Sequence, residues 1–159
     1  MKTRNQHLSA RRSARLAAVQ ALYQQEQTGG DINAVVAEFT EHRFSALQKD
    51  SLYFNPDVAL FQSLVLGVTE NLEALDSLVE GNLAENWKLD RLPSVMRAIL
   101  RTASFELRFE EIVPTPVIIN EYIEISKEFF QDKDISFVNG ILDVISRHTR
   151  TKPDIHQNE

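Results

Sequence analysis

Five basic side chains and no acidic one lie within the first 25 residues of a chain whose formal net charge is −6. They are Lys2, Arg4, Arg11, Arg12 and Arg15. Because Asp and Glu dominate the rest of the sequence, the positive charge is concentrated at one end. This separation is typical of a contact with a polyanion such as nucleic acid. The alternative interpretation is a disordered, solvated basic tail.

We call these five residues the basic cluster. Three of them, Arg11, Arg12 and Arg15, fall within a predicted helix over residues 9–28, which has Ser9 as its N-cap and Gly29 at its end. Arginines in a first helical turn oppose the macrodipole, at a cost of about 0.3–1 kcal/mol each. We infer that they are present to bind a polyanion, which the same helix end attracts. Eight of the ten residues from 14 to 23 are apolar or aromatic, so the remainder of the helix is expected to be buried.

The composition limits the class of protein. The 159 residues fit one domain, and five glycines and five prolines favour helices over a sandwich or barrel. Cysteine is absent, which excludes a disulfide scaffold and thiolate chemistry and suits a reducing cytoplasm. The sequence has no apolar run of about 20 residues and no secretory signal, so we expect a cytoplasmic protein without a membrane segment.

Apolar residues recur at helical spacing along the rest of the chain, which predicts an all-α fold. A loop is expected over residues 45–55, followed by Asn55 as the N-cap of a helical stretch that is hinged between residues 67 and 71. Further helices are predicted from Pro93, from Thr115 and through residues 135–148.

Three side-chain placements follow from this pattern. Trp87 is expected to pack against the helices. Phe129 is expected to share the buried face of Tyr122, and Gly140 to permit close approach of a neighbouring helix.

Two carboxylates, Glu106 and Glu121, fall on apolar helix faces, where carboxylates occur only when they are paired. An acid–base pair is one interpretation, and buried links to arginine are the commoner one. We predict a structural polar network of Arg97, Arg101, Glu106, Asn120, Glu121 and Asn139. For the two asparagines, capping of neighbouring backbone is the alternative.

Nothing else in the sequence indicates catalysis. The four histidines lack metal-ligand spacing, and the GxxxxGK[ST], GxGxxG and GxSxG patterns do not occur. We therefore expect no enzyme, no cofactor and no metal. Tyr23 lies about 16 Å along the helix from Arg12, and Phe137 begins the last helix. Each aromatic could stack on a base or pack in the core.

Ordered blocks of the sequence resemble the bacterial transcription antitermination family NusB. They are ARLAAVQALYQ (14–24), LVLGVTENLEALDSLV (64–79), R-x-x-L-R-x-A-x-x-E-L (97–107), P-x-x-I-N-E (116–121) and FVNGILD (137–143). The resemblance implies a compact bundle of about seven helices. It divides the chain into a flexible basic segment 1–8, a domain 9–149 with subdomains of about 9–85 and 86–149, and a polar tail 150–159.

The resemblance also implies a non-enzymatic function. The family binds boxA, a single-stranded element of nascent ribosomal RNA transcripts, together with the ribosomal protein NusE, in a complex with NusA, NusG and RNA polymerase. Homodimer formation stays open. The RNA-binding residues implied by motif position are Arg11, Arg12, Arg15, Tyr23 and Phe137. Lys133 is added to them from the polar stretch 131–136, which varies within the family. The acidic residues expected to face the basic protein partner are Glu80, Glu85 and Glu110.

Two other functions stay open. One is an RNA-targeting domain like those that precede ribosomal RNA methyltransferase modules. The other is a helical adaptor between proteins that does not bind RNA.

Overall fold

The computed structural model describes residues 4–44 and 56–150, with the side chains of α1 described from residue 10 onward. Its seven α-helices are α1 (Arg4–Thr28), α2 (Ile32–Glu38), α3 (Val58–Glu70), α4 (Leu72–Gly81), α5 (Ser94–Phe109), α6 (Thr115–Ser126) and α7 (Asp132–Thr149). A π-helical turn, Phe39–Arg43, extends α2, and a short 3-10 turn, Leu89–Arg91, precedes α5. The predicted all-α class and helix number are confirmed.

Some predicted boundaries differ from those observed. Helix α1 begins at Arg4 instead of Ser9. Helix α3 is capped by Asp57, whose side chain accepts a hydrogen bond from the Leu60 backbone N–H at 3.0 Å. Asn55, predicted as this cap, and the predicted loop over 45–55 lie outside the described residues.

Helices α1 and α5 form the centre of the fold. Helix α1 packs on α3 and α5, and α5 also contacts α4, α6 and α7. Three residues of α1, Ala14, Ala18 and Ala21, have no exposed surface, and their small side chains permit this close packing. One hydrophobic cluster, extending from Ala14 to Ile145, runs through both halves of the chain.

The predicted hinge lies between α3 and α4, which meet at an angle of 79°. At the bend, the Asn71 side-chain amide donates to the Gly67 carbonyl at 2.8 Å. Gly67 also lies against the ring of Phe105, which occupies the space that a Cβ atom would need. Close approach therefore occurs at Gly67. It does not occur at Gly140, as the sequence analysis expected, because the space around Gly140 is open.

By length and hydropathy, none of the described helices could span a membrane alone. Only α3 and α4 taken together pass that test, and they are bent sharply. Their apolar side chains Phe61, Leu64, Val65, Val68, Leu75 and Val79 are buried in the protein core.

Arg97 and Arg101 bind acids other than those predicted. Both donate to Glu26 near the end of α1, at 2.7 Å and 3.0 Å. Arg101 also binds Asp76 of α4 through two hydrogen bonds, of 2.6 Å and 3.0 Å. This cluster ties α1, α4 and α5 together. Helical periodicity placed the arginines on a suitable face, but it could not show which acid that face would meet.

Two further expectations are wrong. Trp87 is 53% exposed, so it does not anchor the α4–α5 connection. Arg150, predicted to begin a polar tail, is instead an anchor. Its guanidinium donates to the backbone carbonyl of Leu107, in the last turn of α5, at 2.8 Å and to that of Val113, in the connection after the helix, at 2.6 Å. Carbonyls of a last helical turn lack partners within the helix, so the contact with Leu107 caps α5.

We expect Gly67→Ala to destabilise the protein by about 1–3 kcal/mol, because the added methyl group must displace Phe105. Gly140→Ala is the matched control. It lies on an exposed part of α7 with open space around it, and it should stabilise the helix by about 0.5–1 kcal/mol. Urea unfolding measures both. Equal effects of the two substitutions would contradict the close contact.

We expect Glu26→Gln to make stability less sensitive to acid. Burial raises the pKa of Glu26, but hydrogen bonds and charges from Arg97 and Arg101 outweigh it and hold the pKa below the usual 4.5. Such a carboxyl contributes stability above its unfolded pKa that is lost as pH falls through the folded pKa. The wild type should therefore lose stability below about pH 4.5, and the variant should lose less. Urea unfolding across that pH range measures this, and parallel curves would refute it.

Candidate nucleic-acid interface

The arginines of the basic cluster do not lie at a helix end. Because α1 begins at Arg4, residues 11, 12 and 15 are beyond its first turn. The field of the helix dipole acts mainly within that turn, so the predicted conflict with the macrodipole is wrong. Each of these arginines is paired with a carboxylate from another part of the fold.

Arg15 is buried and binds Glu106 of α5 through two hydrogen bonds. Its Nε and Nη2 atoms donate to the two carboxylate oxygens at 2.7 Å and 3.0 Å. The hydroxyl of Tyr122 on α6 donates to the same carboxylate at 2.5 Å. Burial lowers the pKa of Arg15, but Glu106 outweighs this effect and raises it, so Arg15 remains charged. Burial and the Glu106 charge raise the pKa of Tyr122, which keeps its hydroxyl protonated as a donor.

Glu121 of α6 connects this buried pair to the surface. One of its oxygens lies 3.7 Å from Nη1 of Arg15. Arg12 donates to both oxygens, from Nε at 3.0 Å and from Nη2 at 2.8 Å. We call Arg12, Glu121, Arg15, Glu106 and Tyr122 the charge ladder. Side-chain exposure falls along it from 48% at Arg12 to 11% at Glu121, 3% at Arg15 and 1% at Glu106.

The ladder changes the predicted role of Arg15. Arg15 was predicted to bind RNA, but its guanidinium is buried. Two of its nitrogens donate hydrogen bonds to Glu106, and the third, Nη1, lies 3.7 Å from Glu121. It docks α1 against α5 and α6. The sequence contained a signal for this, because Arg15 is one of only two polar residues in the apolar stretch 14–23. A charge within such a stretch faces the core and needs a buried partner.

Arg11 and Arg12 remain at the surface. The guanidinium of Arg11 lies 3.6 Å from Asp57, the cap of α3, and its side chain is 24% exposed. Arg12 is half exposed. Lys2 lies outside the described residues, and the side chain of Arg4 is not described.

One face of α1 continues from Arg12 along the protein surface. Residues 12, 16, 20, 23 and 27 recur every three or four positions and therefore share that face. Gln20, Tyr23 and Gln27 are exposed, with Tyr23 at 39%. We call this face the α1 stripe. Tyr23 is therefore a surface aromatic, although most of the helix around it is core.

A groove of about 610 Å³ lies beside the α1 stripe. Tyr23 and Phe129, each 39% exposed, provide aromatic surface in it. Arg43 donates to the side chain of Gln24 at 3.2 Å, and Glu38 accepts from the same amide at 3.0 Å. Aromatic faces beside oriented amides and an arginine suit unpaired nucleobases.

Phe129 was expected in the core and is partly exposed because α6 ends at Ser126. Phe129 lies beyond the end of the helix, so it does not continue the buried face of Tyr122. Gln20, Gln24 and Arg43 also line or border this groove and were not predicted from the sequence. Arg43 comes from the turn that extends α2, and no local pattern indicated that it would meet α1.

At the start of α7, Lys133 and Phe137 are four residues apart and share one exposed face, with Phe137 at 38% exposure. Lys133 also lines a groove of about 1190 Å³ between α6 and α7. Asn120 and Asn139 line this groove and are exposed. They are therefore not part of an internal network with Glu106 and Glu121, as had been predicted.

The three acids predicted to face a protein partner occupy two places. Glu80 and Glu85 lie at the end of α4 and in the connection after it, and Glu110 follows α5. Two of them also bind local backbone: Glu80 accepts from the Leu89 N–H at 2.7 Å, and Glu110 accepts from the Ile112 N–H at 3.0 Å.

We expect Arg15→Ala to lower the free energy of unfolding by about 3–5 kcal/mol, because it leaves the buried Glu106 carboxylate without its cation. Arg12→Ala is the matched control on the same helix. Its side chain is half exposed, so the expected loss is no more than about 1 kcal/mol. Chemical denaturation measures both. Similar losses for the two variants would contradict the increase in burial along the charge ladder from Arg12 to Arg15.

Comparison with known proteins identifies the family. The sequence model of the NusB family matches residues 12–147. The transcription antitermination protein NusB of Caulobacter vibrioides is 43% identical over 143 residues, which cover 90% of this chain and 96% of the relative.

Solved structures share the fold. The structure of T. maritima NusB is 36% identical, with a TM-score of 0.73 and coverage of 92% of this chain and 93% of its own. A crystal structure of antitermination factors NusB and NusE in complex with dsRNA matches with a TM-score of 0.70 at 24% identity, covering 86% of this chain and 96% of its own, and shows likeness of fold alone. The chain therefore belongs to the NusB family, whose named relatives are transcription antitermination proteins and not enzymes.

Proposed function

We propose that this protein is a cytoplasmic transcription antitermination factor that binds boxA-type single-stranded RNA in nascent ribosomal RNA transcripts. The observation that carries the proposal is the α1 stripe, which places a half-exposed arginine and an exposed tyrosine on one helix face, beside a groove with a second aromatic ring. Membership of a family of antitermination proteins supports it further.

Arg11 and Arg12 bind backbone phosphates at one end of the α1 stripe. Tyr23 and Phe129 stack on bases at the other end, about 16 Å away along the helix. The side-chain amides of Gln20 and Gln24 hydrogen-bond to base edges, which supplies sequence preference. This division suits a single strand, because unpaired bases expose both their faces and their edges.

Lys133 and Phe137 extend the surface on α7. The lysine contributes a phosphate contact and the exposed phenylalanine a further stacking surface. Arg15 has no direct contact with RNA in this proposal, because it lies within the charge ladder.

NusE is the proposed protein partner, and the complex joins NusA, NusG and RNA polymerase to sustain elongation. One chain in a solved complex of NusB and NusE with dsRNA has a fold similar to that of this protein, and membership of the NusB family supports the pairing. The acidic body, with Glu80, Glu85 and Glu110, is complementary in charge to a basic ribosomal protein.

We expect Arg12→Ala and Tyr23→Ala to weaken binding of a boxA-like single-stranded oligonucleotide in a fluorescence titration. Loss of one phosphate contact should reduce the slope of log affinity against log salt by about 0.7. Loss of one stacked base should cost about 1–3 kcal/mol. Arg108→Ala is the matched control. Arg108 is also an exposed arginine, but it lies on α5, where it contacts Phe109, and not on the α1 stripe.

A scrambled oligonucleotide tests sequence preference in the same titration, and added NusE should tighten binding to the boxA-like strand. If both oligonucleotides bind equally weakly and neither substitution has an effect, RNA binding is refuted. The protein would then be an adaptor between proteins.

A further inference from the structure

We propose that Glu121 is a positioning residue for RNA binding, which holds the Arg12 guanidinium in the orientation that a backbone phosphate requires. The inference rests on the proposed function and deepens it. According to this inference, the almost buried acid Glu121 favours the binding of a polyanion.

The hydrogen bonds of Arg12 define that orientation. Its Nε and Nη2 atoms donate to Glu121, so one edge of the guanidinium is fixed against α6. The guanidinium has a second edge, formed by an N–H group of Nη1 and the second N–H group of Nη2. This edge can donate two hydrogen bonds to two oxygens of one anion. The side chain is 48% exposed, so a phosphate can reach the guanidinium, and because the first edge is bound to Glu121 we expect the phosphate at the second edge.

Glu121 can fix Arg12 because the ladder fixes Glu121. Its carboxylate lies 3.7 Å from the buried Arg15, which is held in turn by Glu106 and, through Glu106, by Tyr122. An arginine on a free surface loses rotamer entropy when it binds a phosphate. Here that loss has already occurred on folding, and preorganisation of this kind raises affinity.

The order of charges keeps the anion from meeting Glu121 first. Arg12 is the outermost member of the ladder and Glu121 is 11% exposed, so a phosphate approaches the cation. The negative charge of Glu121 also lies between two arginines, which compensate it. Repulsion of RNA is therefore small compared with the effect on Arg12.

Glu121→Gln separates positioning from simple electrostatics, because the two predict opposite signs. Removing an acid near bound RNA would tighten binding if only net charge mattered. If Glu121 positions Arg12, the variant should instead bind the boxA-like single-stranded oligonucleotide about three- to tenfold more weakly. Unchanged or tighter binding would overturn the inference.

Glu121→Asp is the second variant, in case the first is poorly folded. It keeps the charge but shortens the side chain, so the two-point contact with Arg12 is lost. Affinity should fall although net charge is unchanged, and wild-type affinity would overturn the inference. Thermal melts followed by circular dichroism establish the folded fraction, to which each titration is normalised.

A double-mutant cycle tests whether Glu121 acts through Arg12. In an Arg12→Ala background, Glu121→Gln should cause no further loss of RNA affinity. A further loss as large as in the wild type would assign the effect to the fold and overturn the positioning role. Glu124→Gln is the matched control. Glu124 lies on the same helix, binds Lys127 and acts on Arg12 through its charge alone, so its substitution should leave affinity unchanged or slightly raised.

The cycle also separates this inference from the proposed function. If Arg12→Ala weakens RNA binding but Glu121→Gln and Glu121→Asp do not, only the inference fails. If Arg12→Ala has no effect, the proposed phosphate contact fails together with the inference that depends on it.

Discussion

The buried contact between Arg15 and Glu106 is the constraint on which the arrangement of this protein depends. Both groups are almost completely removed from water, where an unpaired charge costs several kcal/mol. Each charge is therefore tolerated only when α1 lies against α5 in one register. Tyr122 adds a donor from α6, so three helices meet at one carboxylate. We infer that the ladder fixes how α1 is rotated, because any rotation that exposes Arg15 leaves Glu106 unpaired.

This rotation gives α1 two roles. Its alanine-rich side packs into the core, and the α1 stripe with Tyr23 and the glutamines faces solvent. Arg12 stands where the two sides meet, bound to Glu121 but half exposed. The same fold that buries one arginine of the cluster thus presents its neighbour at the surface. Neither outcome follows from the net charge of the segment.

Much of the fold could be predicted from local pattern. The all-α class and the hinge after Gly67 follow from periodicity, which reports which face of each helix avoids water. The helix number was an implication of the resemblance to the family. The prediction was wrong at Trp87, Phe129 and Gly140. Their exposure depends on which neighbours lie opposite them and on where a helix ends. Neither the neighbours nor the helix end can be inferred from a short segment of the sequence.

The sequence by itself determined the helices, their apolar faces and the presence of buried acids that must be paired. It also carried the ordered motifs that indicate the family. Only the tertiary structure decided which cation each acid receives, assigning Glu106 and Glu121 to Arg15 and Arg12 and leaving Arg97 and Arg101 to Glu26 and Asp76. The physical reason is that pairing of buried charges depends on the separation of side chains from distant parts of the chain, here up to 109 residues apart.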